Sequence, residues 1–181
     1  MAKSNKASAR NTKSPTPRLD TPTDISGNAT PEIAAALNGC LADAFALYMK
    51  TKNFHWHISG PHFRSYHLLF DEQAAEIYAT TDELAERVRK TGGRTLHSIS
   101  EISKLQSIKD NNKEFVSAND MLHELMADTK TTIKAMRAAH EIADKHDDIA
   151  TASLLENFID AAEKRHWFLF EASRSGDGSG H

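Results

Sequence analysis

The 181-residue sequence contains a single cysteine, Cys40, so a disulfide within the chain is impossible and a reducing compartment is expected. The sequence opens without the hydrophobic segment of a secretion signal, and no apolar run approaches the ~20 residues of a membrane-spanning helix. No stretch shows the strict alternation of apolar and polar residues that half-buried strands require, and no internal repeat is evident. These absences predict an all-α, cytoplasmic protein without a membrane partner.

Charge is distributed unevenly along the chain. The net formal charge is −3, but residues 1–19 contain five basic side chains and no acidic one, which leaves −8 for the remainder. Residues 1–29 are also too poor in apolar side chains to offset the conformational entropy lost on folding. We therefore expect a disordered basic N-terminal tail with affinity for a polyanion. Its basic residues are Lys3, Lys6, Arg10, Lys13 and Arg18.

Apolar side chains recur at spacings of three and four along four long stretches, which is the periodicity of amphipathic helices. Thr30-Pro31-Glu32 resembles a helix start, because it supplies a capping hydroxyl, a proline at the first helical position and an acid in the first turn. A first helix is predicted from there to about Ile58, where Gly60-Pro61 ends it. A second is predicted from about His62 to Lys90, closed by Gly92-Gly93.

Residues 94–117 form a long connection after the second helix, in which a short helix near Ile99–Leu105 is predicted. Ser117 and Asp120 resemble a capping box and open a third helix over about 118–145. The core positions expected on the first three long helices are Ile33, Leu37, Cys40, Ala44 and Leu47; Phe63, Phe70, Ile77, Leu84 and Val88; and Leu122, Leu125, Thr129, Ile133 and Met136.

Asp147 or Asp148 is expected to cap a fourth long helix over about 148–173. Residues 174–181 are rich in Gly and Ser and are expected to form a flexible C-terminal tail. Four long helices over residues 30–173, with one long crossover between the second and third, predict a ferritin-like four-helix bundle. The core positions expected on the fourth helix are Leu155, Phe158, Ile159, Ala162 and Leu169.

Five possible metal ligands lie within thirty-two residues: His55, His67, Asp71, Asp82 and Glu86. The last four form two pairs with i,i+4 spacing, which places both members of a pair on one helix face. The pairs are separated by fifteen residues, or roughly 22 Å along one helix, so a single ion cannot bind both. A second copy of the helix running antiparallel would bring one pair against the other. The spacing thus predicts a metal site for iron or zinc in a two-fold dimer.

Other interpretations of these residues exist. An i,i+4 acid pair is commonly a solvated surface feature, and an isolated histidine commonly packs or lies on the surface. Glu163-x-x-His166 is one copy of a motif that di-iron bundles carry on two helices, and no second copy is found. A plain helical bundle with incidental histidines is a further alternative.

The sequence from Asn53 to Phe63, NFHWHISGPHF, continues into HLLFDE from His67 and DELAER from Asp82. This pattern resembles the DNA-binding proteins from starved cells (Dps), or mini-ferritins, over about residues 30–173. The resemblance implies ferroxidase activity: oxidation of Fe(II), preferably by hydrogen peroxide, and storage of the ferric mineral inside a dodecamer built from two-fold dimers.

The resemblance also assigns roles to the five ligands. His55, His67 and Asp71 would come from one subunit, and Asp82 and Glu86 from its two-fold mate, with two iron ions in each intersubunit site. His55, Asp82 and Glu86 would bind the tighter iron, and His67 with Asp71 the weaker one. Zinc is a possible substitute.

Further expectations follow from the family. Trp56 resembles a family tryptophan that lies near the iron site and intercepts oxidising equivalents. The alternative interpretation of Trp56 is an aromatic residue of the core. An acidic iron-entry pore, as in related shells, is expected at Asp144, Asp147 and Asp148. The alternative interpretation of these acids is helix capping. The tail lacks aromatic residues, so its DNA binding should be sequence-independent and salt-sensitive, as in bacterial nucleoid-associated proteins. The alternative function is a nucleoid-compacting protein whose metal site is structural.

Overall fold

The computed structural model describes residues 19–174, which form five helices and no strand. The helices are α1 (Ala29–His57), α2 (Phe63–Lys90), α3 (Ile99–Leu105), α4 (Ala118–Lys145) and α5 (Ile149–Ser173). The all-α class and the order of the helices are as predicted from the sequence. The expectations for residues 1–18 and 175–181, including the five basic side chains of the tail, lie outside the described residues.

The four long helices pack as two pairs around one apolar core. α1 packs along α2, α4 packs along α5, and α1 also contacts α4 and α3. The core side chains include Leu37, Phe54, Phe70, Leu155 and Leu169, none of which is more than 1% exposed. Each such side chain contributes about 1.5–3 kcal/mol when it leaves water, so the bundle is held mainly by this core.

Among the described helices, α1 alone is long and apolar enough to cross a membrane by length and hydropathy. This differs from the expectation that no apolar stretch approaches that length. The reason is that α1 contacts three other helices and must bury more than one face. Its apolar character is therefore explained by its place in the core of the bundle.

The apolar periodicity located the core with one clear error. Phe63, predicted to be a core residue, is 47% exposed because it is the first residue of α2 and lies beyond the packed length of the helix pair. Its ring instead lies 5.0 Å from the His67 ring, measured between centroids. Ile159 is only partly buried, while the other predicted core positions are buried.

Helix starts followed the predicted capping residues at two of three positions. The hydroxyl of Ser117 accepts a hydrogen bond from the Asp120 amide at 3.2 Å, and a carboxylate oxygen of Asp148 accepts one from the Thr151 amide at 3.1 Å. The prediction for Thr30 was wrong. α1 begins at Ala29, two residues before the predicted first helical residue Pro31, and the Thr30 hydroxyl donates to the carbonyl of Thr91 at 2.9 Å, which ties the start of α1 to the end of α2.

The segment before α1 is also attached to the end of α2. The Arg89 guanidinium donates to the carbonyl of Leu19 at 2.6 Å and to the carbonyl of Gly93. Gly92 has φ +82°, and a Cβ there would lie 3.4 Å from the carbonyl oxygen of Thr21. Glycine thus allows the left-handed turn, whereas a Cβ would make only an ordinary van der Waals contact with the segment. Residue 19 is thereby fixed beside the C-terminal end of α2.

Candidate metal centre at the turn between α1 and α2

The turn between α1 and α2 brings His55 and His67 side by side. Their rings stack with centroids 3.8 Å apart and an interplanar angle of 25°. Nδ1 of His55 lies 2.8 Å from the carbonyl oxygen of His67, and Nδ1 of His67 lies 2.9 Å from the carbonyl oxygen of His55. A carbonyl oxygen can only accept, so each Nδ1 carries a proton. In each ring, Nε2 is then the nitrogen that is left to bind a metal ion.

Asp71 lies one helical turn after His67 and approaches the same pair. One of its carboxylate oxygens, Oδ1, is 3.8 Å from Nε2 of His55. The same oxygen accepts a hydrogen bond from Nζ of Lys52 at 2.7 Å. This bond is the main cause that lowers the pKa of Asp71, and the nearby histidines act in the same direction. Asp71 is thus an ionised carboxylate near neutral pH, although Lys52 already occupies one of its oxygens.

Asp82 and Glu86 lie on the second half of α2, and both are exposed. Glu86 Oε2 is 3.0 Å from Nζ of Lys90, and this exposed i,i+4 pair adds little stability. Within residues 19–174 of one chain, no group of three His, Cys, Asp or Glu side chains is arranged to hold a metal ion. One chain therefore supplies an incomplete set of ligands: a histidine pair with one carboxylate, and a separate pair of acids.

Comparison with known proteins identifies the fold and family. A family model described as a ferritin-like domain matches residues 34–173. The DNA protection during starvation protein of Brevibacillus brevis is 34% identical over 137 residues, which are 76% of this chain and 91% of that protein. The chain belongs to the Dps family. A low temperature-induced protein of a Nostoc strain is also 34% identical, over 74% of this chain and 75% of its own length.

Solved Dps structures share the bundle. Dps from Thermosynechococcus elongatus superimposes with a TM-score of 0.81 at 31% identity, covering 85% of this chain and 98% of that one. Dps from Vibrio cholerae, described as a member of a broad superfamily of ferritin-like diiron-carboxylate proteins, has a TM-score of 0.80 at 28% identity. It covers 86% of this chain and 98% of its own. The imidazole and carboxylate donors at the turn of this chain are donor types that suit iron or zinc.

Trp56 is 55% exposed in this Dps-family chain, so its interpretation as a core residue was wrong. It follows His55 on α1, and Nζ of Lys52 lies 5.8 Å from its ring centroid. Lys52 therefore contacts both the tryptophan and the Asp71 carboxylate. Spacing could not reveal this lysine as part of the site, because it is nineteen residues from Asp71 and on another helix.

The single Glu-x-x-His motif, Glu163 with His166, does not form a site within the described residues of this Dps-family bundle. Nδ1 of His166 lies 3.1 Å from the carbonyl oxygen of Met126, and the Glu163 carboxylate forms an exposed ion pair with Arg137. Both side chains thus have structural partners. The intrachain di-iron alternative loses its support.

The three acids predicted to line a pore differ in their surroundings. The Asp148 carboxylate is buried, accepts from the Thr151 amide and hydroxyl, and lies 2.5 Å from Nη2 of Arg87. Its assignment to a pore was wrong, because the capping interaction and the arginine already use both oxygens. Asp144 and Asp147 are exposed, and only these two remain candidates for a pore.

Replacing Lys52 should change how much Fe(II) the candidate site can bind. Lys52→Met keeps an apolar stem but frees Oδ1 of Asp71, so we expect more Fe(II) bound per chain in anaerobic titration calorimetry. Lys164→Met is a matched control, since Nζ of Lys164 also lies over an aromatic ring, 5.6 Å from the centroid of Phe168, and near an acid. Equal iron binding by wild type and both variants would show that Lys52 does not compete with iron.

Proposed function

We propose that this protein is a cytoplasmic ferroxidase that oxidises Fe(II), preferably with hydrogen peroxide, and stores the ferric product inside a shell of twelve subunits. The observation that carries the proposal is the stacked pair of His55 and His67. Each ring is held by a backbone carbonyl so that Nε2 can bind a metal, with the ionised Asp71 beside them. Ligands held in this way need little reorganisation when Fe(II) arrives.

The missing ligands are proposed to come from a two-fold mate. His55 with Asp82 and Glu86 of the mate would bind the tighter iron, and His67 with Asp71 the second iron. Met49 and Trp56 on α1 are apolar side chains that are each more than half exposed in the single chain. Their exposure supports an interface with another subunit at this surface. The mate would cover this surface while it delivers the two acids.

The chemistry follows from the donor set. Carboxylates stabilise Fe(III) relative to Fe(II), which favours electron loss to the oxidant. Two Fe(II) ions supply one electron each, so one hydrogen peroxide molecule and two protons become two water molecules without release of hydroxyl radical. The exposed Asp144 and Asp147 are proposed to attract Fe(II) towards an entry pore. Zinc would bind the same donors but cannot change its oxidation state.

Iron oxidation can be tested directly. Fe(II) with hydrogen peroxide at half its concentration should give a soluble ferric core with the wild-type protein, followed by ultraviolet absorbance and by sedimentation. Changing both His67→Ala and Asp71→Ala should slow the oxidation severely, because the second iron loses its ligands. Equal rates in variant and wild type would remove these residues from the site.

We also propose that the basic tail binds DNA without sequence preference. Supporting this, several relatives are named DNA protection during starvation proteins, and the tail residues Lys3, Lys6, Arg10, Lys13 and Arg18 carry positive charge only. Twelve tails on one shell would bind phosphates with strong avidity. The alternative, a nucleoid-compacting protein with a structural metal, shares this binding but forms no mineral.

Gel retardation of plasmid DNA tests the tail. The full chain should retard DNA at low salt and lose this effect as salt rises, whereas a variant lacking residues 1–18 should not retard it. Equal retardation by both proteins would place the DNA contact elsewhere on the molecule. No retardation by either would leave the iron function alone.

A further inference from the structure

A small cavity lies inside the bundle, where all four long helices meet. Its volume is about 30 Å³, which exceeds the roughly 10–15 Å³ that one water molecule needs. Most of its wall is apolar, but polar side chains from every long helix also line it. These are Cys40 and Asp43 on α1, Thr80 on α2, Thr132 on α4 and Arg165 on α5.

Arg165 brings a donor without a partner to this cavity. The residue is 6% exposed, and its Nε is buried with no hydrogen-bond partner among the described residues. Nη1 donates to Glu76 at 3.3 Å, which is longer than the ~2.7–2.9 Å of a strong charge-assisted hydrogen bond. Burial lowers the pKa of the guanidinium, and the contact with Glu76 offsets this only in part. The Nε–H group therefore needs an acceptor.

Thr80 and Thr132 bring acceptors to the same cavity. The Thr80 hydroxyl donates to the carbonyl of Ile77 at 2.8 Å, and the Thr132 hydroxyl donates to the carbonyl of Thr129 at 2.8 Å. Each hydroxyl has a single proton, so its oxygen can only accept further hydrogen bonds. The cavity thus combines one free donor with two acceptors.

The other two polar side chains restrict what the cavity can bind. The Asp43 carboxylate accepts hydrogen bonds from Ser107 and from the Ile108 amide. Burial raises the pKa of the Cys40 thiol to about 12, so this group stays neutral. A metal ion would meet the positive charge of Arg165, and an anion would meet the Asp43 carboxylate and the threonine oxygens. A small neutral molecule that both donates and accepts suits this set.

We propose that the cavity is a binding site for water, in which a molecule accepts from Nε of Arg165 and donates to the hydroxyl oxygens of Thr80 and Thr132. Three hydrogen bonds are typical of a buried water molecule. This water joins α2, α4 and α5 inside the bundle core, where ferritin-like di-iron proteins build metal sites. In this chain Arg165 lies between Glu163 and His166 in sequence, and its positive charge opposes a metal ion in that space.

High-resolution crystallography of the assembled protein tests the site. The wild type should show a density peak within hydrogen-bond distance of Nε of Arg165 and of both threonine oxygens. Thr80→Val with Thr132→Val keeps the shape of the cavity but removes both acceptors, so the peak should be lost. Thr132→Ser keeps the hydroxyl and should retain it. No peak in the wild type, or an unchanged peak in the double variant, would overturn the proposal.

Soaks with bromide and with Zn²⁺ distinguish water from an ion. Neither ion should give anomalous scattering in the cavity of the wild-type protein. An anomalous peak of bromide or zinc beside Arg165 would replace the water with an anion or a metal ion and overturn the proposal.

Thr129 provides a matched control for stability. It is also buried on α4, and its hydroxyl also donates to a helix carbonyl, that of Leu125 at 2.7 Å, but it does not line the cavity. Thr132→Val should lower the thermal midpoint of unfolding by several degrees more than Thr129→Val, because only the first variant removes a partner of the buried water. Equal shifts in the two variants would count against the site.

Discussion

Two variants that are each inactive should regain about a quarter of the wild-type iron oxidation when they are refolded together in equal amounts. The first variant combines His67→Ala with Asp71→Ala, and the second combines Asp82→Ala with Glu86→Ala. Half of the dimers formed would contain one subunit of each kind. Each mixed dimer has one site with all its ligands intact and one site with four altered ligands.

The expectation follows from the separation of the two pairs along α2. Within the described residues of one chain the acids do not join the histidines, and in the proposed site a second subunit supplies them. If the site were complete within one chain, mixing could not restore activity, because every chain in the mixture carries a defect. The measurement is the initial rate of Fe(III) formation before and after mixed refolding.

A matched control uses another acid pair with the same spacing. Glu156 and Asp160 are exposed on α5, so Glu156→Ala with Asp160→Ala should leave iron oxidation close to the wild-type rate. No recovery in the mixed sample, with mixed dimers demonstrated by mass spectrometry, would contradict the shared site. Loss of activity in the control would show that iron oxidation depends on the negative charge of the surface and not on the positions of Asp82 and Glu86.

Arg87→Ala should lower the free energy of unfolding by about 3–5 kcal/mol. Nη2 of Arg87 lies 2.5 Å from Oδ1 of Asp148, and Nε donates to the Thr151 hydroxyl at 2.7 Å. The side chains of Arg87 and Asp148 are 17% and 2% exposed. Removing the arginine leaves a buried carboxylate without its counter-charge at the turn between α4 and α5.

The control for this prediction is Arg137→Ala. Arg137 pairs with Glu163, but both side chains are about half exposed, so the loss should be about 0–1 kcal/mol. Chemical denaturation at one fixed protein concentration gives both values, since assembly itself adds to stability. Equal losses in the two variants would mean that burial of the Asp148 carboxylate does not decide the stability of this turn.

The sequence predicted the helices well because their apolar periodicity is long and regular. It predicted Phe63 and Thr30 wrongly, since the packed length of a helix pair and the contact between Thr30 and Thr91 depend on the tertiary structure. For the candidate site, spacing and family resemblance named five candidate ligands, and their binding of iron stays a prediction. The backbone carbonyls that set the histidine tautomers and the role of Lys52 could not be predicted, because both arise where α1 and α2 meet.

Arg89 has a consequence for how the proposed dimer would meet DNA. Antiparallel contact between the two ligand pairs places the two-fold axis near the middle of α2, so Arg89 lies about twelve residues from it on each subunit. The two Arg89 side chains are then roughly 38 Å apart at 1.5 Å per residue. Each of them binds the carbonyl of Leu19, where the tail of its subunit starts. One turn of the double helix measures about 34–36 Å. In the proposed dimer, the two points from which the tails start would therefore be separated by about one turn of a duplex.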